Sequence, residues 1–318
     1  ILATQECLAG YYCPGGVIAP SLDVDLSCPA GSYCPAGVSQ PIPCEPGTYQ
    51  DEIGQDTCKA CVEGYYCEIG TITPNLPCTA HHYCPNGTAT PVTCGNGTYT
   101  TNTTNGLTKQ DECTRCLAGY YCEDGIIAGE CAAGYFCKVG QSVPNPTWDL
   151  TDYSDPESAF DYLNNLDGGQ CPPGHYCYRR TADPFACENS TVRVTVLGSS
   201  PTDCGPCPAG YICYFGNPVP QPCGAGNYCP EAENAIVCPS STYNNKTARS
   251  TLEDCLPCPA GQFCNTTAIS NYHLYPCPQG SYCLIGSDAP ILCPNGTFSE
   301  EGSGSLTDCG QCPAGNYC

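Results

Sequence analysis

The chain has no methionine, a single tryptophan (Trp148), six phenylalanines and only nine basic residues among 318. Each scarcity excludes something. Nine cations spread over this length cannot form a surface that tracks phosphates, so nucleic acid is a poor partner and anionic lipid is no better. Large apolar side chains are too few to fill a shared core. No apolar run is long enough to span a bilayer as a helix, so no membrane segment is expected in these residues. No secretion signal opens the chain, which begins at Ile1 and closes on Cys318, the last letter of a recurring motif. The expectation is a fragment of a longer mature protein. With 31 acidic residues the formal net charge is −22. Such acidity favours solubility and loose association with cations such as Ca²⁺; no cofactor is expected.

What the chain has is cysteine, 34 residues of it. Acidic, apolar-poor chains normally read as disordered. Cysteine at this density reverses that reading, because small modules that cannot bury enough apolar surface are held by cross-links instead. It also implies an oxidising compartment, hence a secreted or cell-surface location.

The cysteines follow a rule. A C-x5-C phrase begins at Cys7, Cys28, Cys61, Cys78, Cys116, Cys131, Cys171, Cys207, Cys223, Cys258, Cys277 and Cys312, as in Cys277-PQGSY-Cys283. Glycine stands three after the first cysteine in all copies but one, where His81 replaces it. An aromatic residue precedes the second cysteine in all but one, where Ile212 replaces it. Two phrases, a lone cysteine, a loop and a closing cysteine make a module. The modules are 1–58, 59–113, 114–204, 205–255 and 256–309, with 310–318 opening a sixth. The third is long because it holds an extra phrase and a cysteine-free insert, 138–170. The fold class expected is an elongated tandem array of small disulfide-rich β-hairpin modules with little regular secondary structure.

Within the insert, Asp155-Pro156-Glu157-Ser158 has the form of a helix start, with Asp as cap and Pro at the first helical position. Phe160, Leu163 and Leu166 would share one side, and Gly168 would end the helix. Thr191–Leu197 (TVRVTVL) alternates as a strand should. The phrase glycine is expected at positive φ in a tight turn, and the tyrosine as a miniature core.

The last two cysteines of each module flank a hairpin-like loop, which favours the pairs Cys44–Cys58, Cys94–Cys113, Cys187–Cys204, Cys238–Cys255 and Cys293–Cys309. The phrase cysteines can pair within a phrase or between successive phrases, and both stay open. C-x2-C steps such as Cys58/Cys61 lack a second pair at zinc-ribbon spacing, and no βαβ setting suits a redox site. They read as junctions whose two cysteines belong to different disulfides. The four histidines, His81, His82, His175 and His273, form no catalytic arrangement, and no enzyme is expected. The acidic insert lacks EF-hand spacing. An insert that breaks a repeat is a contact candidate, and Trp148, Phe160 and Leu163 are its apolar members.

Sequons occur at Asn86, Asn96, Asn102, Asn189, Asn245, Asn265 and Asn295. Three of them, Asn96, Asn189 and Asn295, stand two residues after the lone cysteine of their module. Glycans there would line one face of the array.

The phrases CPAGxYC, as at Cys28–Cys34 and Cys312–Cys318, and Cys44-EPGTYQ leading to GQDTC-x-x-C resemble the ephrin-receptor-like cysteine-rich repeat. The resemblance covers almost the whole chain and fails in Lys138–Gln170. Long arrays with this density of sequons look most like the glycoproteins of flagellar hairs (mastigonemes) and related surface fibrils. That resemblance implies a structural filament subunit whose partners are copies of itself, coated in covalent glycans, with no catalytic residues. The alternative is a receptor or adhesin ectodomain that uses the repeats as a stalk or ligand-binding surface. An exposed patch of arginine and aromatics would favour the second, and Arg179-Arg180 beside Tyr178 is the hint of one.

Overall fold

The computed structural model describes residues 6–16, 26–101, 106–147, 167–231 and 234–318. One hairpin shows how the rest are made. After Cys28 the chain turns at Ala30-Gly31, runs as a strand over Ser32–Tyr33 and reaches Cys34. It turns again at Ala36-Gly37 and returns antiparallel as Ile42–Pro43. Cys44 then opens the next hairpin. Fourteen two-stranded sheets of this kind follow one another. The described residues hold no α-helix, only 3₁₀ turns of three residues. Strands stay short because Gly and Pro punctuate every pass.

The strands carry a small apolar pair. Tyr33 stands opposite Ile42, Tyr66 opposite Leu76, Tyr83 opposite Val92, Tyr228 opposite Ile236 and Tyr282 opposite Ile291. Cross-strand pairs of aromatic and branched residues contribute roughly 0.2–1 kcal/mol each. No pair makes a core. Most of the buried apolar residues are cystines, joined by Leu26, Phe136 and Ile269.

All 34 cysteines are paired. Every C-x5-C phrase closes on itself, as Cys28–Cys34, Cys61–Cys67 and Cys277–Cys283 do, with a sequence separation of 6. The pairing between successive phrases is therefore not used. Five longer bridges complete the set: Cys44–Cys58, Cys94–Cys113, Cys187–Cys204, Cys238–Cys255 and Cys293–Cys309. Each C-x2-C step divides its two cysteines between different disulfides: Cys58 is bonded to Cys44, and Cys61 to Cys67.

Backbone hydrogen bonds join each hairpin to the next. Between the Cys44 and Cys61 hairpins there are four. Gly47 N–H donates to the Cys67 carbonyl at 2.8 Å, and Cys61 N–H to the Gly47 carbonyl at 2.8 Å. Gly70 N–H donates to the Cys44 carbonyl at 2.8 Å, and Gln50 N–H to the Thr71 carbonyl at 3.1 Å. Between Cys61 and Cys78 the same four recur through Gly64, Cys78, Gly87 and Cys67. The bond from the first cysteine of one hairpin to the third residue after the first cysteine of the previous hairpin is present at every junction from Cys28 to Cys312. The bonds across the Cys58–Cys61 step are thus of the same kind as those on either side of it.

The phrase glycine serves this stacking as well as the turn. Gly174 has φ +77°, and a Cβ there would stand 2.2 Å from the carbonyl oxygen of Gly216, two hairpins further on. Gly10 stands in the same relation to Gly54, and Gly261 to Gly302, each at 2.3 Å. A side chain would push the neighbouring backbone away.

Two expectations are corrected. Thr191–Leu197 is not one strand: only Thr191–Val192 is, paired with Gly205–Pro206. The alternation ends because Leu197 takes φ +66° and its N–H donates to the Cys171 carbonyl, the stacking bond of this hairpin. Gly168 does not end a helix. It lies in the strand Gly168–Gln170, paired with Tyr135–Cys137, so the insert is the drawn-out tip of one hairpin. The remainder of the expected helix, with Trp148, Phe160 and Leu163, lies outside the described residues, as does Asn102.

Candidate functional site

The lone cysteines prove to open hairpins of the same form as the phrases. Cys44-EPGTY-Gln50 superimposes on the pattern Cys28-PAGSY-Cys34, with Gln50 where the second cysteine would be. The same slot holds Thr100, Arg193, Asn244 and Ser299. Four of the five are buried polar residues: Gln50, Thr100, Asn244 and Ser299 are each no more than 5% exposed. Each finds partners, as buried polar groups must. Gln50 donates from Nε2 to the Thr57 carbonyl at 2.8 Å and accepts at Oε1 from Glu52 N–H at 3.1 Å. Asn244 donates to the Asn227 carbonyl and accepts from Lys246 N–H. Ser299 donates to the Ser281 carbonyl, and the Thr100 hydroxyl accepts from His81 N–H. The aromatic five residues after four of the lone cysteines, such as Tyr49, with a glycine before it in three of them, such as Gly47, is the signal in the sequence that marks these slots.

The closing cysteines of four long bridges are placed by a second device. A 3₁₀ turn precedes Cys113, Cys204, Cys255 and Cys309, and its last residue is acidic: Glu112, Asp203, Asp254 and Asp308. Backbone N–H donors at Gly304 and Ser305 hold the Asp308 carboxyl below its ordinary value. Ser199 does the same for Asp203, and Thr251 for Asp254. The Cys58 loop has no such acid, and Gln50 ties its Thr57 carbonyl instead.

The histidines belong to the hairpins: His82 and His175 begin strands, and His81 and His273 sit in turns. His81 occupies a glycine slot at φ +72°, and its Nδ1 lies 3.1 Å from the Thr100 carbonyl and 3.0 Å from that of Gly125. Burial pushes His175 below the ordinary histidine value.

All six described sequon asparagines, Asn86, Asn96, Asn189, Asn245, Asn265 and Asn295, are exposed. They occupy two turns of the hairpin. Asn96, Asn189 and Asn295 stand in the first, before the outgoing strand; Asn86, Asn245 and Asn265 stand in the second, after it. These turns stack on each other from one hairpin to the next: Gly216 N–H donates to the Cys187 carbonyl, and Phe215 N–H to Asn189 Oδ1 at 2.9 Å. At this junction the first turn of one hairpin thus meets the second turn of the next. Their threonines have a task of their own. The hydroxyls of Thr98, Thr191 and Thr297 donate to the carbonyls of Gly95, Glu188 and Pro294. Thr48 and Thr242, which follow no sequon asparagine, make the same bond to Glu45 and Pro239. Part of the sequon's recurrence is a turn requirement.

An aromatic cluster stands at the surface of the Cys171 hairpin. Tyr176 and Phe185 stack at 5.7 Å, and Tyr178 meets both edge-on. Arg180 lies over the Tyr120 ring at 4.8 Å, and Arg179 faces Glu130 at 3.7 Å. Among the described residues no group of acidic, histidine or cysteine side chains is placed to hold a metal ion, and no helix is long and apolar enough to cross a membrane. No known family model and no curated protein matches the chain.

Proposed function

We infer from the density of disulfides that the chain is a secreted or cell-surface protein stabilised by covalent staples. Beyond that, we propose that the chain is a non-catalytic structural subunit of an extracellular glycosylated filament, as its resemblance to ephrin-receptor-like repeats and flagellar-hair glycoproteins implies. The observation that carries this reading is the ladder. Each hairpin holds a disulfide of its own and is hydrogen-bonded to the next by its backbone. Contacts confined to hairpins one and two places apart make an array extend in one direction, and covalent bridges resist tension that a side-chain core would not. Glycans at the sequons would screen short strands with exposed edges.

The receptor or adhesin reading is favoured by one observation, exposed Tyr178 and Phe185 packed on half-buried Tyr176 beside Arg179. Aromatic residues and arginine are the side chains most enriched where proteins bind. Electron microscopy and sedimentation of the purified oxidised chain separate the two. Concentration-dependent fibres support the filament, and removal of residues 148–166, which spares the hairpin from Tyr135 to Gln170, abolishes them. A monomer that stays single at all concentrations overturns the filament and leaves the receptor.

A further inference from the structure

Asn189 is held differently from the other described sequon asparagines. Its Oδ1 accepts the Phe215 N–H across the gap to the next hairpin. An N–H can meet only the amide oxygen, so this bond orients the amide and turns Nδ2, the atom a glycan substitutes, away from Phe215 N. Substitution at Nδ2 leaves Oδ1 free to keep the bond. The residue that supplies the N–H also carries one of the most exposed aromatic rings of the chain, Phe215 at 66%. Tyr214, its neighbour in the chain, is 52% exposed, and Phe185, two hairpins back, is 48% exposed. A Cβ on Gly216 would lie 3.2 Å from that of Ala186, so the Tyr214–Gly216 turn sits directly on the strand of Phe185. Exposed apolar patches of this kind on a secreted protein are covered in use. At the equivalent place beside the Asn96 sequon the next hairpin offers Asp124, a carboxylate.

We propose that the first N-acetylglucosamine on Asn189 lies against the Phe215 ring, so that this glycan is a fixed part of the surface while the one at Asn96 hangs free. The proposal rests on the glycoprotein reading above. Attachment is the ordinary transfer: Nδ2 loses a proton and bonds to the anomeric carbon of the sugar, and the diphosphate of a lipid-linked donor leaves. The C–H face of the pyranose then meets the electron-rich face of the ring. The hydrogen bond that holds Asn189 brings the two within reach without ordering any further backbone.

The test uses the secreted chain carrying N86Q, N96Q, N102Q, N245Q, N265Q and N295Q, with ¹³C-labelled sugar. Mass spectrometry reads occupancy at Asn189, and NMR reads the sugar's acetyl and anomeric protons. The expected result is an upfield ring-current shift that survives trimming to a single N-acetylglucosamine and is lost in Phe215→Ala. A glycan at Asn189 with unshifted signals, or with signals that Phe215→Ala does not move, overturns the proposal and leaves the glycoprotein reading intact. An empty Asn189 also overturns it; occupancy of the other sequons in the unaltered chain then decides the broader reading separately.

Discussion

The hairpins come in two kinds that follow one backbone path. In the Cys28 hairpin a bridge of separation 6 closes the first turn, and both its cysteines are completely buried. In the Cys44 hairpin the bridge spans 14 residues and ends at Cys58, which is only half-buried, while Gln50 fills the inner slot. Strand register, turns and stacking bonds are otherwise alike. The difference teaches that the path is set by the glycine turns and the backbone ladder. The disulfide is a staple that can be placed in more than one position.

The largest effect is expected where that path itself is blocked. Gly174→Ala puts a Cβ against the Gly216 carbonyl and should abolish secretion of folded protein or cost several kcal/mol, about 1–3 of them from positive φ alone. Gly37→Ala, at φ +82° with open space around it, should cost about 1 kcal/mol. Equal losses in denaturant melts of the two variants would show that the stacking contact is unimportant.

The next effect concerns the staples. Under graded reductant, alkylation followed by mass spectrometry should label Cys58, Cys204 and Cys309 before Cys28, Cys34, Cys61 and Cys67, because the first three are half-buried and the others fully enclosed. Loop-closure entropy makes loss of Cys94–Cys113, at a separation of 19, roughly 1 kcal/mol costlier than loss of a phrase bridge at 6. Burial of the phrase cystines works against that difference. Reduction in the reverse order would break the comparison.

A conversion sharpens it. Gln50→Cys with Cys58→Ser should turn the Cys44 hairpin into the short-bridged kind. Peptide mapping should then find Cys44 bonded to the introduced thiol at position 50, with a cooperative melt retained. Gln50→Ala alone should cost about 1–3 kcal/mol, since it leaves the Thr57 carbonyl and Glu52 N–H without this partner.

The smallest effect is that of pH. The carboxyls of Asp203, Asp254 and Asp308 are held below the ordinary value of 3.8 by backbone donors. A lowered folded value contributes stability that is present above the ordinary value and lost as pH falls from about 4 through the folded one. Hydrogen exchange should show these three loops opening more readily at pH 3 than at pH 6.

Much of this is legible in the sequence itself. Cysteine density, the recurring C-P-x-G-x-Y-C and the even bookkeeping of cysteines already describe tandem stapled hairpins, and the loop cysteines flank their loops visibly. Two things are not. The likeness of Cys44-EPGTYQ to CPAGSYC is hidden because attention to cysteine makes Gln50 look like ordinary loop. The strand in TVRVTVL is over-read, since alternation records side-chain chemistry and not where a turn must fall.

The sequence alone therefore determined the compartment, the repeated stapled phrase and the scarcity of any core, because composition limits how much surface a chain can bury. Tertiary structure alone decided what the phrase glycine is for and which turns meet. Those depend on approaches such as that of Gly174 to Gly216 and of Asn189 to Phe215, made by residues of different hairpins, and no spacing along the chain encodes a distance between them.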